Sequence, residues 1–465
     1  MGGMHGTDPV AVAEGLPLGF TFGASTASYQ IEGAVTEDGR GRSVWDTFCD
    51  QPGRVVDGSS GAVACDHYHR YPEDVALMAG LGLDGYRFSI AWPRIQPSGS
   101  GPVNAAGLDF YERLVDALLG AGVAPMATLF HWDLPQALED QGGWLERSTA
   151  ERFAEYAGVV GERLADRVAH WVPVNEPNVV TLLGYATGMH APGRTLMFHA
   201  LPVAHHLLLG HGLAVAALRA AGAGSVGTAN NHTPVLPASD AEADQDAAAL
   251  YDDLWNGLFA GPMLRGRYPD GFGDLMPGPV TDDLRTIAAP LDFYGVNYYN
   301  PTRVAAPGSA LAAVAQAPSV DGVPFVLVEL DGDHPRTDFG WPVVPEGLRD
   351  VLVGLRREYG DALPPVHVTE NGCAYDDPRD AAGAIHDSRR IDYLASHLRA
   401  VAAAVEAGVD VRGYFTWSLI DNFEWAEGYT KRFGLVHVDY ATQRRTPRDS
   451  YGWYRDVIAA HRARR

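Results

Sequence analysis

Two rhythms of apolar and polar positions alternate along the chain. Short runs rich in β-branched and aromatic residues occupy residues 20–24, 85–90, 123–129, 168–174, 225–229, 291–296, 366–369 and 411–416. Runs of this length and composition read as buried strands. Between most of them lie longer Ala/Leu/Arg stretches whose apolar residues recur every three or four positions, the period of a helix with one buried face. One opens at Glu73 and continues as Asp74-Val75-Ala76-Leu77-Met78, and others span 108–119, 149–165, 207–220 and 391–407. Eight alternating units predict an α/β fold, a single (β/α)8 TIM barrel with inserted loops over its C-terminal face. An open, doubly wound sheet is the competing arrangement, but no Gly-rich phosphate turn follows the first strand.

The remaining segments complete the organisation. Residues 1–16 read as a flexible N-terminal extension, and 17–465 as the barrel domain. Residues 40–64 and the Pro/Ala/Gly-rich 304–335 carry neither period and read as loops inserted into the barrel. The second is the better candidate for a mobile surface excursion. No apolar run approaches the roughly 20 residues that span a bilayer, and residues 1–14 lack the basic and apolar regions of a secretory signal.

Charge narrows the partners. The net charge of −23 repels nucleic acid and anionic membranes, so neither is expected as a partner. Arginine carries nearly all the positive charge, Lys431 being the single lysine. Cys49, Cys65 and Cys373 have no motif spacing and read as free thiols rather than a disulfide framework or zinc site. These features make a cytoplasmic location the expectation.

Barrel proteins carry their chemistry on the C-terminal ends of the strands. Here those ends lead to Gln30 and Glu32, Arg87, His131-Trp132-Asp133, Asn175-Glu176, Asn230-Asn231-His232, Asn297-Tyr298-Tyr299, Glu370-Asn371 and Trp417, with Glu424 and Trp425 in the last loop. The set holds amides, carboxylates, one imidazole and several indoles, with no cluster at metal-ligand spacing. No metal or cofactor is expected. Amides and carboxylates suit the hydroxyls of a sugar ring, and flat indoles suit its C–H faces. His131 and Trp417 also read as core residues, whereas Trp425, in a polar loop, is expected to be partly exposed. Glu176 and Glu370 each follow a strand directly and are followed by a strand-ending residue, Pro177 or Gly372. Two such glutamates can face one another across a barrel mouth, as glycoside hydrolysis requires: about 5–5.5 Å apart for retention, or about 6.5–9.5 Å for inversion. The competing reading is a structural ion pair of one glutamate with Arg87, which would still leave it ionised and usable.

Six segments carry a resemblance. Residues 20–33 (FTFGASTASYQIEG), 86–95 (YRFSIAWPRI), 130–135 (FHWDLP), Asn175-Glu176-Pro177, 368–372 (VTENG) and 417–425 (WSLIDNFEW) occur in order, and the chain from about residue 17 to 459 resembles glycoside hydrolase family 1. The resemblance implies a retaining β-glycosidase, with Glu176 as general acid/base and Glu370 as nucleophile. It implies that Gln30, His131, Asn175, Glu424 and Trp425 hold the glycone hydroxyls, with Trp132 beside them and Trp417 beneath the ring. Tyr299 and Arg87 would support Glu370, Asn297 would border Glu176, and Trp341 would line the leaving-group side. Pro173-Val174 before Asn175 and Pro342 after Trp341 depart from the common pattern, the second on the leaving-group side.

The implied partners are small β-glycosides or short β-linked oligosaccharides, with glucose, galactose and fucose unranked as glycones; a homo-oligomer stays open. Three rivals stand beside this reading. A 6-phospho-β-glycosidase needs cationic groups where Glu424 stands, although Lys431 points the other way. A transglycosylase differs only in its acceptor. A catalytically inactive sugar-binding protein would not need both glutamates.

Overall fold

The computed structural model describes residues 6–314 and 323–465. Its centre is a barrel of eight parallel strands: β1 (Thr21–Ser25), β2 (Gly85–Ser89), β3 (Ala124–Phe130), β4 (His170–Val174), β5 (Gly227–Asn231), β6 (Phe293–Asn297), β7 (Val366–Asn371) and β8 (Val411–Trp417). All eight stand where the apolar runs predict them, with ends shifted by a residue or two. The hydrogen-bonded order is β4-β3-β2-β1-β8-β7-β6-β5. Two isolated bridges, Trp171–Val226 and Asn175–Ala229, close the ring between β4 and β5. Inside, Met126, Val172, Ala229, Phe293 and Phe415 from five strands pack into one apolar layer, so the barrel is a filled core with its chemistry confined to the C-terminal rim.

The helical shell includes α1 (His67–Leu81), α2 (Ala105–Gly120), α3 (Arg147–Leu164), α4 (Leu201–Ala220), α5 (Val280–Ile287), α6 (Pro345–Tyr359), α7 (Ser388–Glu406) and α8 (Asp449–Arg462). The first begins at His67 rather than Glu73, because Pro72 sits inside the helix and the residues before it hide the apolar period. The fourth begins at Leu201 rather than 207, and here the sequence reading needs correction. Met197–Ala220 is long and apolar enough to cross a membrane by length and composition, with an 18-residue window of mean hydropathy 1.5, yet 78% of that window is buried inside the protein. It is apolar on all sides because the barrel and neighbouring helices surround it.

Three further expectations meet the structure. The supposed extension contains a helix, Pro9–Glu14, capped by the Asp8 side chain, with Val12 and Ala13 buried. Trp453 of α8 donates to the Thr7 carbonyl at 2.6 Å, so this part of residues 1–16 is packed rather than free. Residues 40–64 include the helix Val44–Cys49, opened by a Ser43/Asp46 capping box and burying Val44, Trp45 and Phe48. In residues 304–335, the strands Thr302–Ala305 and Val326–Val328 pair antiparallel beside Val235–Pro237. The expected mobile excursion falls partly on residues 315–322, which lie outside the described residues. Cys49, Cys65 and Cys373 are free thiols.

Candidate active site

Local backbone geometry turns the two glutamates into the barrel mouth. Beyond β4, Glu176 adopts a left-handed φ of 47°, a conformation that β-carbon sterics make costly for any residue but glycine. Its N–H donates to Ala229 O at 2.8 Å, and Pro177 starts a short helix that fixes the turn. In β7 the register with β6 shifts between Val368 and Glu370, a bulge that re-aims the side chain at the strand end. Gly372 follows because a β-carbon there would lie 1.7 Å from the Trp417 carbonyl oxygen.

The two carboxylates are equally buried but differently held. Glu370 accepts from Arg87 Nη1 at 2.5 Å and from the Tyr299 hydroxyl at 2.9 Å. Among the described residues Glu176 accepts only from amides, Asn297 Nδ2 at 2.7 Å and Asn231 Nδ2 at 3.1 Å. Burial first, and then the charge of Glu370, push Glu176 up to about 8. Burial also raises Glu370, but the Arg87 guanidinium and the Tyr299 hydroxyl oppose that rise. The first proton to leave the pair is therefore that of Glu370, the member with a cation in contact.

One buried network joins the strand ends. Asn175 Oδ1 accepts from Arg87 at 2.6 Å and from Asn297 at 3.1 Å, which leaves its amide nitrogen to donate to His131 Nε2 at 3.1 Å. Burial and the nearby Arg87 charge hold His131 far below its usual pKa, so it is neutral with its proton on Nδ1. That Nδ1–H and Gln30 Oε1 have no hydrogen-bond partner among the described residues. A donor and an acceptor left over in a dry site suit the hydroxyls of a sugar.

A cavity of about 360 Å³ opens onto both glutamates, and His131, Trp132, Tyr299, Trp341, Trp417, Glu424 and Trp425 also line it. The predicted Gln30, Arg87, Asn175 and Asn297 stand behind that wall. Gln30 donates to Glu424 Oε2 at 3.3 Å, and the other three reach the glutamates or His131 as described. Burial, and then the charge of Glu370, raise Glu424 to about 8. Trp425 is only 4% exposed, against expectation, because it packs between Trp45 and Trp132 with ring centroids 4.6 Å from each. Trp341 stacks on Phe339 at 4.0 Å and faces Tyr299.

Other strand-end residues serve the fold. Glu32 pairs with Arg94 and Tyr111, both at 2.6 Å, and Asp133 accepts from Ser28. Asn230 and His232 both bond the Tyr294 hydroxyl. Conversely, the cavity also uses residues that the sequence reading left unassigned. Asn231 was visible at the end of β5; Trp255, which donates to it at 3.2 Å, lies in a widened, π-helical turn, Asp253–Gly257, of the helical stretch beyond that strand. Leu183 comes from the π-helical turn Val180–Ala186 after β4, and Met189 and His190 from the irregular chain that follows, so none carries an ordinary periodic signal.

An eight-stranded parallel barrel with two buried, unlike carboxylates in an indole-walled cavity is the architecture of a barrel glycoside hydrolase. The family model for Glycosyl hydrolase family 1 matches residues 12–463, and the chain belongs to that family. Thermostable beta-glucosidase B of Thermobispora bispora is 51% identical over 450 residues, covering 95% of this chain and 90% of that protein. The bifunctional beta-D-glucosidase/beta-D-fucosidase of Bifidobacterium breve is 45% identical, covering 96% and 99%. Among solved structures, the family 1 β-glucosidase of Thermotoga maritima in complex with isofagomine lactam superimposes with a TM-score of 0.89 at 43% identity, over 96% of this chain and 99% of that one.

Proposed function

We propose that this glycoside hydrolase is a retaining β-glucosidase in which Glu370 is the nucleophile and Glu176 the general acid/base. The observation that carries this reading is the asymmetry of the buried pair: Arg87 and Tyr299 favour the ionised form of Glu370, while Glu176 is pushed up to about 8 and starts protonated. A Glu370 oxygen attacks the anomeric carbon as the bond to the leaving oxygen breaks, and Glu176 gives that oxygen its proton. The product is a covalent glycosyl-enzyme, reached through an oxocarbenium-like transition state. Esterification removes the charge of Glu370, so Glu176 becomes a stronger acid and persists as carboxylate. It then takes a proton from water as the water oxygen attacks the same carbon. The ester bond breaks, its electron pair returns to Glu370, and the β-anomer is regenerated.

The substrates proposed are terminal, non-reducing β-D-glucosyl residues, with β-galactosyl and β-fucosyl residues as secondary glycones; the bifunctional relative from Bifidobacterium breve supports that breadth. Gln30, His131, Asn175, Glu424 and Trp425 bind or position the glycone, Trp132 and Trp417 wall it, and Trp341 lies on the leaving-group side. The phosphorylated alternative lacks support: no lysine or arginine lines the cavity among the described residues, and Lys431 donates instead to the Asp338 carbonyl at 3.0 Å.

The test is a panel of p-nitrophenyl glycosides. Fast release from the β-glucoside, slower release from the β-galactoside and β-fucoside, and almost none from the α-glucoside or the β-glucoside 6-phosphate is the expected result. Silence on every plain β-glycoside by folded protein would sink the reading.

A further inference from the structure

The catalytic cavity continues into a second depression of about 310 Å³. Asn300 and Thr302 belong to the walls of both. At a second point the chain passes from one to the other in a single step, Trp341 lining the cavity and Pro342 the groove. A leaving group departing from Glu176 along this side therefore meets the groove next.

Half of the groove's wall is apolar, beside Asn300, Thr302 and three charged residues, Arg303, Glu329 and Arg336. Pro301, Leu327, Val328, Leu330 and Pro342 line it, and Leu327 is 42% exposed on the strand Val326–Val328, free to cover a ligand. Its two guanidiniums are already used. Arg303 pairs with Asp331 at 2.5 Å and donates to the Ala238 carbonyl, while Arg336 pairs with Glu329 and donates to Gly340 O at 2.8 Å. Neither is left to read a phosphate or carboxylate. Among the described residues no aromatic ring lines the groove, so a second sugar would find no platform for its C–H face. A hydrocarbon chain needs neither and gains by leaving water.

We propose that this groove is a distal leaving-group subsite for an apolar chain, so that β-glucosides of long aliphatic alcohols are preferred substrates. The proposal rests on the cavity being the β-glucosidase site proposed above. In it, aliphatic carbons beyond those held in the cavity lie along Leu327, Val328 and Pro342, and transition-state binding improves with chain length.

The experiment compares kcat/KM for methyl, butyl, hexyl, octyl and decyl β-glucosides below their micelle concentrations. Cellobiose, cellotriose and cellotetraose form a parallel series, with p-nitrophenyl β-glucoside as the reference. A fully buried methylene is worth roughly fourfold, so a rise of at least about tenfold between butyl and decyl is expected, with no comparable rise along the cello-oligosaccharides. Leu327→Asp is expected to abolish that rise while leaving the p-nitrophenyl rate unchanged, and Leu330→Asp serves if the first variant does not fold. A flat alkyl series, a rise that survives both variants, or a rise along the cello-oligosaccharides instead would each overturn the subsite. Loss of p-nitrophenyl β-glucoside hydrolysis in the unmutated protein would overturn the β-glucosidase reading itself, and the subsite with it.

Discussion

At the scale of single residues, Tyr299 offers the most direct test of how the carboxylates are kept unlike. Its hydroxyl donates to the ionised form of Glu370, so Tyr299→Phe removes support for that form and Glu370 takes up its proton at higher pH. The acid limb of kcat/KM is expected to move upward in pH, with lower maximal activity. On the other side, Glu176 is needed protonated, so activity is expected to fall as pH rises through about 8. Glu370→Gln removes the neighbouring charge that raises Glu176. It is expected to cost about 10⁴-fold or more in kcat and to move the Glu176 carboxyl titration to lower pH, measurable by difference infrared spectroscopy. Much of this was legible in the sequence, because Glu176 and Glu370 stand within two residues of a strand-ending Pro177 or Gly372 and the surrounding motifs are continuous in the chain. Trp255 and Met189 were not: the π-helical turn around Trp255 breaks the ordinary helical period, and Met189, in irregular chain, owes its place to the folded path rather than to a period.

At the scale of elements, the loop after β8, which brings Glu424 to the cavity, hangs on one buried carboxylate. Asp421 is fully buried and accepts from Arg448 at 2.9 and 3.0 Å, from Arg432 at 2.8 Å and from the N–H groups of Gly434 and Val438. The arginine charges overcome the burial that would otherwise raise it, and hold it down at about 2. Asp421→Asn leaves two guanidiniums short of their counter-charge and is expected to cost about 3–5 kcal/mol, read as a lower urea midpoint together with a raised KM from the displaced Glu424. The sign of the pH effect follows: the stabilisation from Asp421 is complete above its unfolded value of about 4 and is lost as pH falls toward about 2. The strands themselves were easy to predict, since parallel strands covered on both faces are uninterrupted apolar runs. Helix starts were harder. Pro72 masks the opening turn of α1, and α4, apolar on every side, has no stripe from which to read its first residue.

At the scale of the whole molecule, burial has fixed several histidines in the neutral state. His367 is pushed down to about 3, and His211 and His397 to about 4. In the unfolded chain each would take a proton near 6.5, so below that value protons favour unfolding, and stability is expected to drop steadily between pH 6.5 and 4. Urea midpoints measured at pH 7 and pH 5 check this; equal midpoints would show that the rings are solvated rather than dry. The overall architecture was readable because eight strand–helix units fill nearly the whole chain. The packing of residues 9–14 was not, as it depends on Trp453 and its neighbours at the other end of the sequence.

The seam between β4 and β5 carries a last consequence. Two bridges, Trp171–Val226 and Asn175–Ala229, close it where every other pair of neighbouring barrel strands shares at least three paired residues, and the Glu176 N–H and the Asn231 side chain bond across that same line. On warming, the ring is expected to open first along this seam, and the group carried away would be the proton donor rather than Glu370. A gently heated sample that no longer cleaves alkyl glycosides is thus expected still to release a first-turnover burst of fluoride from a glycosyl fluoride, whose departing ion needs no proton, and then to stall with the sugar on Glu370.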